Sequence, residues 1–448
     1  MNLFKLFSKP EDRALQKILG GEDTTSYKNF GRFCDALAEP KQVKLFDEAL
    51  KKFESKDYIA NYILFFQFLT NKKGDNVSYT QNSSGINFEI IQGSKKITGI
   101  ATVQKFYCIS KIAQVDILQV RYLRQMIEAN FAFMYIRYAL DAEKNIVLLF
   151  ESVASEASPY KLLEALRELA IFADKNDDLL LTEFKEDLKP LDLGLRKELP
   201  SAIRNFYAHY LTEQIESTTE YLKETPQLDA QYPGGVAYLW LSLAYQLDYL
   251  LTPQGFINDS IERIERMFFE KSTESHTIKN KRIAEEFLNI KERSLDLKLD
   301  ELYQTTCTFS IMSVKSIDAL AHLIEGELPN MNWYAKNNYL KIALAVTDFI
   351  VGNAQFNNSF PDFERQLLHL YMQIRHFGFF KQLGLKCNLK NNDGSLNARE
   401  IKNALQTVLT ENNIPKKQIE TCVASLNCAD EVSWARSYLE MITLLNNG

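Results

Sequence analysis

Glycine and proline are scarce in this chain of 448 residues, which contains 17 Gly and 11 Pro. Both numbers are below average usage. Because these residues form turns and end helices and strands, their scarcity predicts that long helices dominate the fold. The six cysteines are scattered and form no Cys-x-x-Cys pair. Their spacing excludes a disulfide framework and a cysteine zinc site, and it is typical of reduced, buried thiols in the cytosol.

Strong charge of either sign is absent. The net charge is −6, with 46% hydrophobic and 25% charged residues, which is the balance of a soluble globular protein. Nothing here would neutralise many phosphates, so we exclude general nucleic-acid binding. The sequence also contains no Gly-Lys-Ser/Thr loop, no Gly-x-Gly-x-x-Gly turn and no Gly-x-Ser-x-Gly elbow.

Long apolar runs are missing as well. Residues 1–10 have no extended apolar segment and no small-residue cleavage site, so we expect no secretion signal. The most apolar long stretch, 234–251, contains Gln246 and Asp248 and is short for a membrane span. We expect this stretch to form a core helix, and we expect a cytoplasmic protein without a membrane span.

The length predicts two or three domains, and we place their boundaries near residues 40, 180 and 360. Residues 1–40 are a weakly patterned helical extension. Helical spacing of apolar residues continues to residue 69. Alternating and β-branched runs then predict five strands, over 77–80, 86–90, 97–108, 132–140 and 145–153.

The last two predicted strands flank a hairpin turn at residues 141–144. A helix over 115–131 precedes them, and one of its faces can be shared by Val115, Ile117, Leu118, Tyr122, Met126 and Ile127. Ser158, as the N-cap residue before Pro159, begins another helix to residue 173. We therefore expect an α+β domain over 41–180, with a five-stranded antiparallel sheet and flanking helices, followed by mostly α-helical domains.

The order of helix, three strands, helix, two strands and helix resembles the type III secretion chaperone-like fold, as found in the YbjN-like family of bacterial sensory-transduction regulators. The resemblance is carried by residues 134–140 (MYIRYAL), the hairpin, residues 146–150 (IVLLF) and the helix 159–173. It implies a small sheet covered by helices that binds another polypeptide or pairs with itself. It implies no catalysis.

Residues 199–385 form successive helical patterns without a fixed repeat, which indicates a helical bundle over 181–360. Two polar groups in this region are candidate sites. Asp318, His322 and Glu325 are spaced to line one helix face and are candidates for acid–base or metal chemistry, but the adjacent apolar stripe favours a solvated edge. His369 and His376 also share a helix face, and their aromatic surroundings favour a helix interface.

A possible ion loop lies at residues 388–400. An EF-hand loop has oxygen ligands at positions 1, 3, 5, 7 and 9, a glutamate at 12 and a glycine at 6. With Gly394 at the glycine position, oxygen-bearing residues occupy five of the ligand positions: Asn391, Asp393, Ser395, Asn397 and Glu400. Leu389 takes the first position, which is normally an aspartate, and its side chain cannot donate an oxygen.

A second, weaker loop follows between helices predicted over 415–426 and 434–445. Val432 lies where the partner of Leu396 would lie in a paired loop, and Arg436 takes the place of the last carboxylate ligand. Residues 361–448 therefore resemble a degenerate EF-hand pair. The resemblance implies two helix-loop-helix units with a short strand contact between Leu396 and Val432.

A turn at Asp393-Gly394 and a capping box of Asn397 and Glu400 explain the same residues without an ion. Only two of the ligands are acidic, and fewer charged ligands mean weaker calcium binding. We expect the loop to keep its shape without calcium, with Leu389 in the core. We expect the Glu400 carboxylate to bond backbone amides at the start of its helix.

From these patterns we expect a non-enzymatic cytoplasmic protein that acts as a protein-binding adaptor or chaperone-like regulator. Its partner would be a protein, a peptide or a second copy of itself, and we expect no cofactor. Two alternatives stay open. One is a calcium-responsive regulator that uses the 388–400 loop, and the other is an enzyme with a site in the central helical domain.

Overall fold

The computed structural model describes residues 25–31, 40–71, 74–191, 194–305 and 313–446. Most of the helical extension that we expected over residues 1–40 therefore lies outside the described residues. Within it, residues 25–31 are described and contain one turn of 3-10 helix, Tyr27–Asn29.

The first part of the chain is a mixed α+β unit, as the sequence predicted. Its elements follow in chain order: α1 (Pro40–Glu54), α2 (Tyr58–Leu69), β1 (Val77–Asn82), β2 (Gly85–Gln92), β3 (Lys95–Ala101), β4 (Lys105–Val115), α3 (Val120–Ala132), β5 (Arg137–Leu140), β6 (Asn145–Val153), α4 (Pro159–Glu183) and β7 (Leu188–Pro190). The sheet has the order β1-β2-β3-β4-β6-β5, and β7 pairs with β4. All of these pairings are antiparallel.

The prediction of five strands is wrong, because the sheet has seven. The predicted strand 97–108 is two strands, since the Thr102 hydroxyl closes a turn by accepting from Gln104 N at 3.1 Å and Lys105 N at 3.0 Å. Thr102 is β-branched, and β-branched residues favour strands, so propensity alone did not indicate the turn. The last strand, β7, has three residues and is too short to show alternation.

The strand predicted over 132–140 is shorter, Arg137–Leu140, because α3 extends to Ala132. The β5–β6 hairpin is confirmed, with Lys144 at φ 63° in its turn. The helix after Ser158 is also confirmed, since the Ser158 side chain accepts from Lys161 N at 3.3 Å, and the helix runs on to Glu183. The helix expected over 115–131 is shifted to 120–132, because β4 extends to Val115.

Among the described residues, one face of the sheet packs against the helices and the other does not. On that face, Phe88 contacts Phe66 of α2 and Phe106 of β4, with ring centroids 4.7 and 5.0 Å apart. Cross-strand pairs on the opposite face, such as Ile100 with Tyr107, are exposed or half-buried. The sheet therefore has a second face on which apolar and polar side chains remain accessible.

The second part of the chain is helical. Its helices are α5 (Ser201–Glu224), α6 (Gln227–Gln231), α7 (Pro233–Leu251), α8 (Gly255–Phe269), α9 (His276–Glu292), α10 (Leu295–Asp300), α11 (Ile317–Lys336), α12 (Leu340–Asn357), α13 (Asp362–Arg375), α14 (Phe377–Gln382), α15 (Ala398–Glu411), α16 (Lys416–Ser425) and α17 (Glu431–Asn446). Two pairs of two-residue strands lie between them: β8 (Lys197–Glu198) with β9 (Tyr303–Gln304), and β10 (Ser313–Val314) with β11 (Asn358–Ser359).

The expected core helix is confirmed as α7, which is buried along nearly its whole length. It packs closely on α12, where a Cβ atom added at Gly352 would come within 2.5 Å of Tyr245. Glycine at this position therefore permits the close approach of the two helices. Among the helices of the described residues, none combines the length and apolarity that a bilayer crossing needs.

The buried apolar side chains form two clusters, one under the sheet and one through the helical part. The two parts meet where α4 lies against α8. Lys175 of α4 pairs there with Asp259 at 2.6 Å and Glu262 at 2.7 Å. Tyr303 donates a hydrogen bond of 2.6 Å to Asp178, also on α4. Polar contacts therefore join the sheet unit to the helical part.

Candidate binding surface

The helix α3 exposes apolar side chains on the face that points away from the core. Phe131 is 90% exposed and Val120 is 79% exposed, and Ile127 lies between them on the same helix face. Tyr122 and Met126 occupy the opposite face and are buried. This is a helix with one apolar face in the core and a second apolar face in solvent.

The exposed surface extends beyond both ends of α3. We use the name α3 patch for six exposed apolar residues: Ile117, Leu118, Val120, Ile127, Phe131 and Met134. Single exposed apolar residues are ordinary, but several of them around one helix are typical of a site that another molecule covers. Charged side chains lie among them, since Arg124 is on the same helix face between Val120 and Ile127 and pairs with Glu128 at 2.7 Å.

The corner after α3 is held by one carboxylate. Glu168 of α4 accepts hydrogen bonds from the backbone amides of Met134 at 2.9 Å, Tyr135 at 2.8 Å and Ile136 at 3.2 Å. Hydrogen bonds to an ionised acceptor are among the stronger ones in proteins. The segment that carries Met134 is therefore fixed to α4.

The neighbouring edge of the sheet is closed by a side chain. Asn130 of α3 accepts from Tyr138 N at 2.7 Å and donates to Tyr138 O at 3.4 Å, so its amide takes the place of a neighbouring strand. An added polypeptide strand cannot use these Tyr138 groups while Asn130 holds them. The opposite edge strand, β1, is short and carries mainly polar residues.

The uncovered sheet face is a second accessible surface. A shallow concavity crosses it, lined by side chains of β1 to β4: Ser78, Thr80, Asn87, Glu89, Thr98, Ile100, Tyr107 and Ile109. This lining mixes polar and apolar groups. The α3 patch is the more continuous apolar surface of the two.

The predicted ion loop brings three of its five candidate ligands together. Asp393 accepts hydrogen bonds from the backbone amide of Ser395 at 2.9 Å and from its hydroxyl at 2.6 Å, and Asn391 donates to the same hydroxyl at 2.9 Å. Gly394 has φ 85° at the tip of the turn. The bonds from Ser395 hold the pKa of Asp393 below its ordinary value.

The other two candidate ligands lie at the start of α15. The Asn397 side chain accepts from Glu400 N at 3.3 Å and caps the helix, as predicted. Leu389 is fully buried, which confirms its predicted place in the core. A capping box would also need the Glu400 carboxylate to accept from Asn397 N. Among the described residues this bond is absent, because Asn397 N donates to the Leu389 carbonyl oxygen at 3.0 Å instead.

The expected strand contact between Leu396 and Val432 is also wrong. Leu396 forms an antiparallel bridge with Lys390 of its own loop. The two loops are joined by ion pairs instead, since Glu431 pairs with Lys390 and, at 2.7 Å, with Arg375. In the part of the chain that the structure describes, no group of three or more His, Cys, Asp or Glu side chains is arranged to hold a metal ion.

The polar residues of the central helices do not converge. Asp318, His322 and Glu325 are all exposed on α11, and His322 Nδ1 donates to the backbone carbonyl of Asp318 at 2.7 Å. Burial lowers the pKa of His376 to about 4, although the Asp348 charge opposes that shift. His369 is buried elsewhere and bonds to Tyr249 at 2.8 Å.

The α3 patch was not predicted. The residues expected to share one face of this helix included Ile117, Leu118 and Ile127, but Ile117 and Leu118 lie before α3, and all three are exposed. The signal was present, because Val120, Ile127 and Phe131 recur at helical spacing on a second face. A helix with two apolar faces needs a partner for one of them, or burial on both sides.

No family model matches this sequence, and a search of the curated proteins finds no match. The function is therefore inferred from the surfaces and contacts described above.

Proposed function

We propose that this chain is a non-enzymatic adaptor or chaperone-like regulator that binds another polypeptide in the cytoplasm through the α3 patch. The exposure of Phe131 and its neighbours on α3 carries the proposal. Burying each large apolar side chain of the patch contributes on the order of 1.5–3 kcal/mol. A complementary apolar surface would therefore gain most of its affinity from these few residues.

The partner that fits this surface best is an amphipathic helix. A helix face with apolar residues at regular spacing and a charged border packs against another such face. A second copy of the chain meets this condition. An antiparallel pairing centred on Ile127 places Val120 opposite the partner's Met134 and brings Arg124 close to the partner's Glu128. Such a pairing is self-complementary, as a two-fold interface requires.

The likeness of residues 41–180 to the type III secretion chaperone-like fold is part of the same proposal. It rests on the order of the elements and supports a role in binding polypeptides. The rigid corner at Glu168 supports it further, because a fixed surface loses less conformational entropy when a partner binds.

A display screen with random helical peptides tests the proposal. We expect the chain to select amphipathic peptides, and we expect the selected peptides to lose affinity for Phe131→Lys by about tenfold or more, since one apolar contact is removed. Leu444→Lys is the matched control, because Leu444 is also an exposed apolar residue in the last turn of a helix. Peptides that bind both variants equally would place the binding site elsewhere.

We also propose that the 388–400 loop is a degenerate EF-hand-like loop that keeps its turn without calcium. The burial of Leu389 supports this proposal, because the first ligand position then points into the core. The bonds between Asp393 and Ser395 support it as well, since they stabilise the turn without an ion. A calcium titration of the full chain distinguishes this proposal from a calcium-responsive regulator.

A further inference from the structure

Residues 25–31 lie on the helical part of the chain, although they precede the sheet unit in sequence. We call these residues the strap. The strap packs against the end of α7 and against α13 and α14, in a groove formed by six residues: Tyr249, Arg365, His369, Gln373, Phe379 and Phe380. We propose that this groove recognises a short polypeptide segment with an aromatic anchor, and that the strap occupies it until a partner's segment takes its place.

The anchor is Phe30. Its side chain is 3% exposed, and its ring lies 5.0 Å from that of Phe380 and 5.3 Å from that of His369, measured between centroids. The residues of the single turn before it, Tyr27–Asn29, include no buried side chain. One aromatic residue therefore supplies most of the apolar contact of the strap.

Main-chain bonds hold both ends of the strap. The carbonyl oxygen of Thr25 accepts from His369 Nε2 at 2.7 Å and from Gln373 Nε2 at 3.1 Å. Gly31 N donates to the carbonyl oxygen of Tyr249 at 3.0 Å. These bonds do not depend on the side chains of the strap, so they would hold any segment with the same backbone path.

The Thr25 carbonyl assigns the tautomer of His369. A carbonyl oxygen only accepts, so Nε2, 2.7 Å away, carries the proton, and Nδ1 is left to accept from the Tyr249 hydroxyl at 2.8 Å. The Gln373 amide nitrogen, which shares the Thr25 carbonyl, lies 2.9 Å from the same Nε2. His369 is 5% exposed. A buried polar side chain is thus held by α7 in the orientation that binds a peptide carbonyl.

Glycine is the favoured residue after the anchor. Gly31 has φ +76°, which other L-residues rarely adopt, and a Cβ atom there would lie 3.2 Å from the Tyr249 ring. The groove therefore selects an aromatic residue followed by glycine. The expected partner is a polypeptide that presents a Phe-Gly pair in an extended or singly turned segment.

Displacement is expected because, among the described residues, the strap buries the side chains of Thr25 and Phe30 alone, and its other contacts are main-chain bonds and the packing of Tyr27 on Arg365. An element with few buried contacts opens at low free energy compared with the core. The attachment of the strap to its own chain gives it a high effective concentration at the groove. A free segment of the same sequence should therefore bind the native chain weakly, and it should bind strongly when the strap is weakened.

A labelled peptide of residues 24–32, TTSYKNFGR, tests this inference by fluorescence anisotropy on the full chain. We expect the variants Phe30→Ala and Gly31→Val to bind the peptide at least tenfold more tightly than the native chain. The first variant removes the anchor of the strap and alters no side chain of the groove. The second disturbs the backbone of the strap, because a Cβ atom at residue 31 would crowd the Tyr249 ring. The peptide with Phe30→Ala should not bind any of these chains.

The groove itself is tested by adding His369→Ala to Phe30→Ala, which should abolish peptide binding while the far-ultraviolet circular dichroism stays that of the native chain. Native-like Phe30→Ala and Gly31→Val chains that bind the peptide no better than the native chain would overturn the inference. Equal binding of the anchorless peptide would also overturn it.

Discussion

The side chain of Asn130 pairs with the backbone of Tyr138 as a neighbouring strand would, with an N–H···O bond of 2.7 Å into Asn130 and one of 3.4 Å back to the Tyr138 carbonyl. The pairing closes the β5 edge at this point and leaves the α3 patch as the accessible apolar surface beside it. Sheet edges with unpaired backbone groups recruit other strands, and proteins cover them for this reason.

Replacing Asn130 with Ala should expose these Tyr138 groups. We expect a loss of about 1–3 kcal/mol in the free energy of unfolding, because a partly buried donor and acceptor lose their partner. We also expect faster aggregation into thioflavin-binding species. Urea unfolding and a thioflavin time course measure the two effects. Gln125→Ala is the control on the same helix, and equal behaviour of both variants would show that Asn130 does not protect the edge.

Glu168 should matter more than a surface carboxylate of the same helix. The variant Glu168→Ala removes the acceptor of three backbone amides. We expect a destabilisation of at least about 1.5–3 kcal/mol, the range for one hydrogen bond to a charged group. Glu164→Ala, which removes only an exposed ion pair with Arg167, should cost about 0–1 kcal/mol. A small effect of Glu168→Ala in urea unfolding would contradict a fixed corner at Met134.

The packing of α4 against the turn between β2 and β3 should depend on pH through Asp174, which accepts from Ser94 N. Burial, together with the charge of Asp177, raises the pKa of Asp174 to about 7 from its ordinary value of 3.8. The folded chain thus holds this proton more tightly than the unfolded chain does. The stability that the protonated carboxyl contributes is complete below about pH 3.8 and is lost as the pH rises through about 7.

The variant Asp174→Asn keeps an acceptor for the Ser94 amide, which lies 2.6 Å from Asp174, but it cannot ionise. We expect the variant and the native chain to differ least below about pH 4, and we expect the variant to be the more stable one near pH 8. Glu164→Gln, an exposed carboxylate of the same helix, should follow the native chain at both pH values. Parallel pH profiles for Asp174→Asn and the native chain would show that Asp174 is ionised throughout.

The sequence predicted those features of the fold that depend on nearby residues. Ser158 with Pro159 marks the start of α4, and alternation marks the β5–β6 hairpin, because caps and turns act within a few positions. The turn at Thr102 was missed because a hydroxyl bond, and not the propensity of the residue, decides it. The Asn130–Tyr138 pair and the docking of the strap were not predicted, because these residues come together only in the folded chain.

In the candidate sites too, features that depend on nearby residues were predicted and features that depend on distant contacts were not. The burial of Leu389 was predicted, because an apolar side chain among polar loop residues is expected to pack into the core. The link between the two C-terminal loops through Glu431 was not predicted. The sequence does not show which basic residue a carboxylate at the start of a helix will pair with. The α3 patch was not predicted, because helical spacing does not say which of two apolar faces is covered.

Calcium binding by the 388–400 loop should require a new ligand at its first position. We expect no saturable binding in the micromolar range for the native chain, and we expect Leu389→Asp to create or strengthen binding because it places a carboxylate there. Leu389→Ala is the control, because it loses the burial, at about 2–5 kcal/mol, without gaining an oxygen. Calorimetric titration with calcium measures all three, and saturable micromolar binding by the native chain would contradict the expectation.

Sedimentation velocity over a concentration series tests the role of the α3 patch most directly. We expect the sedimentation coefficient of the native chain and of Leu444→Lys to rise with concentration, and we expect Phe131→Lys to weaken this self-association by about tenfold or more, because one apolar anchor of the interface is lost. A native chain that stays monomeric at high concentration and also selects no peptide in the display screen would contradict the account. Self-association that is equal in all three chains would contradict it as well.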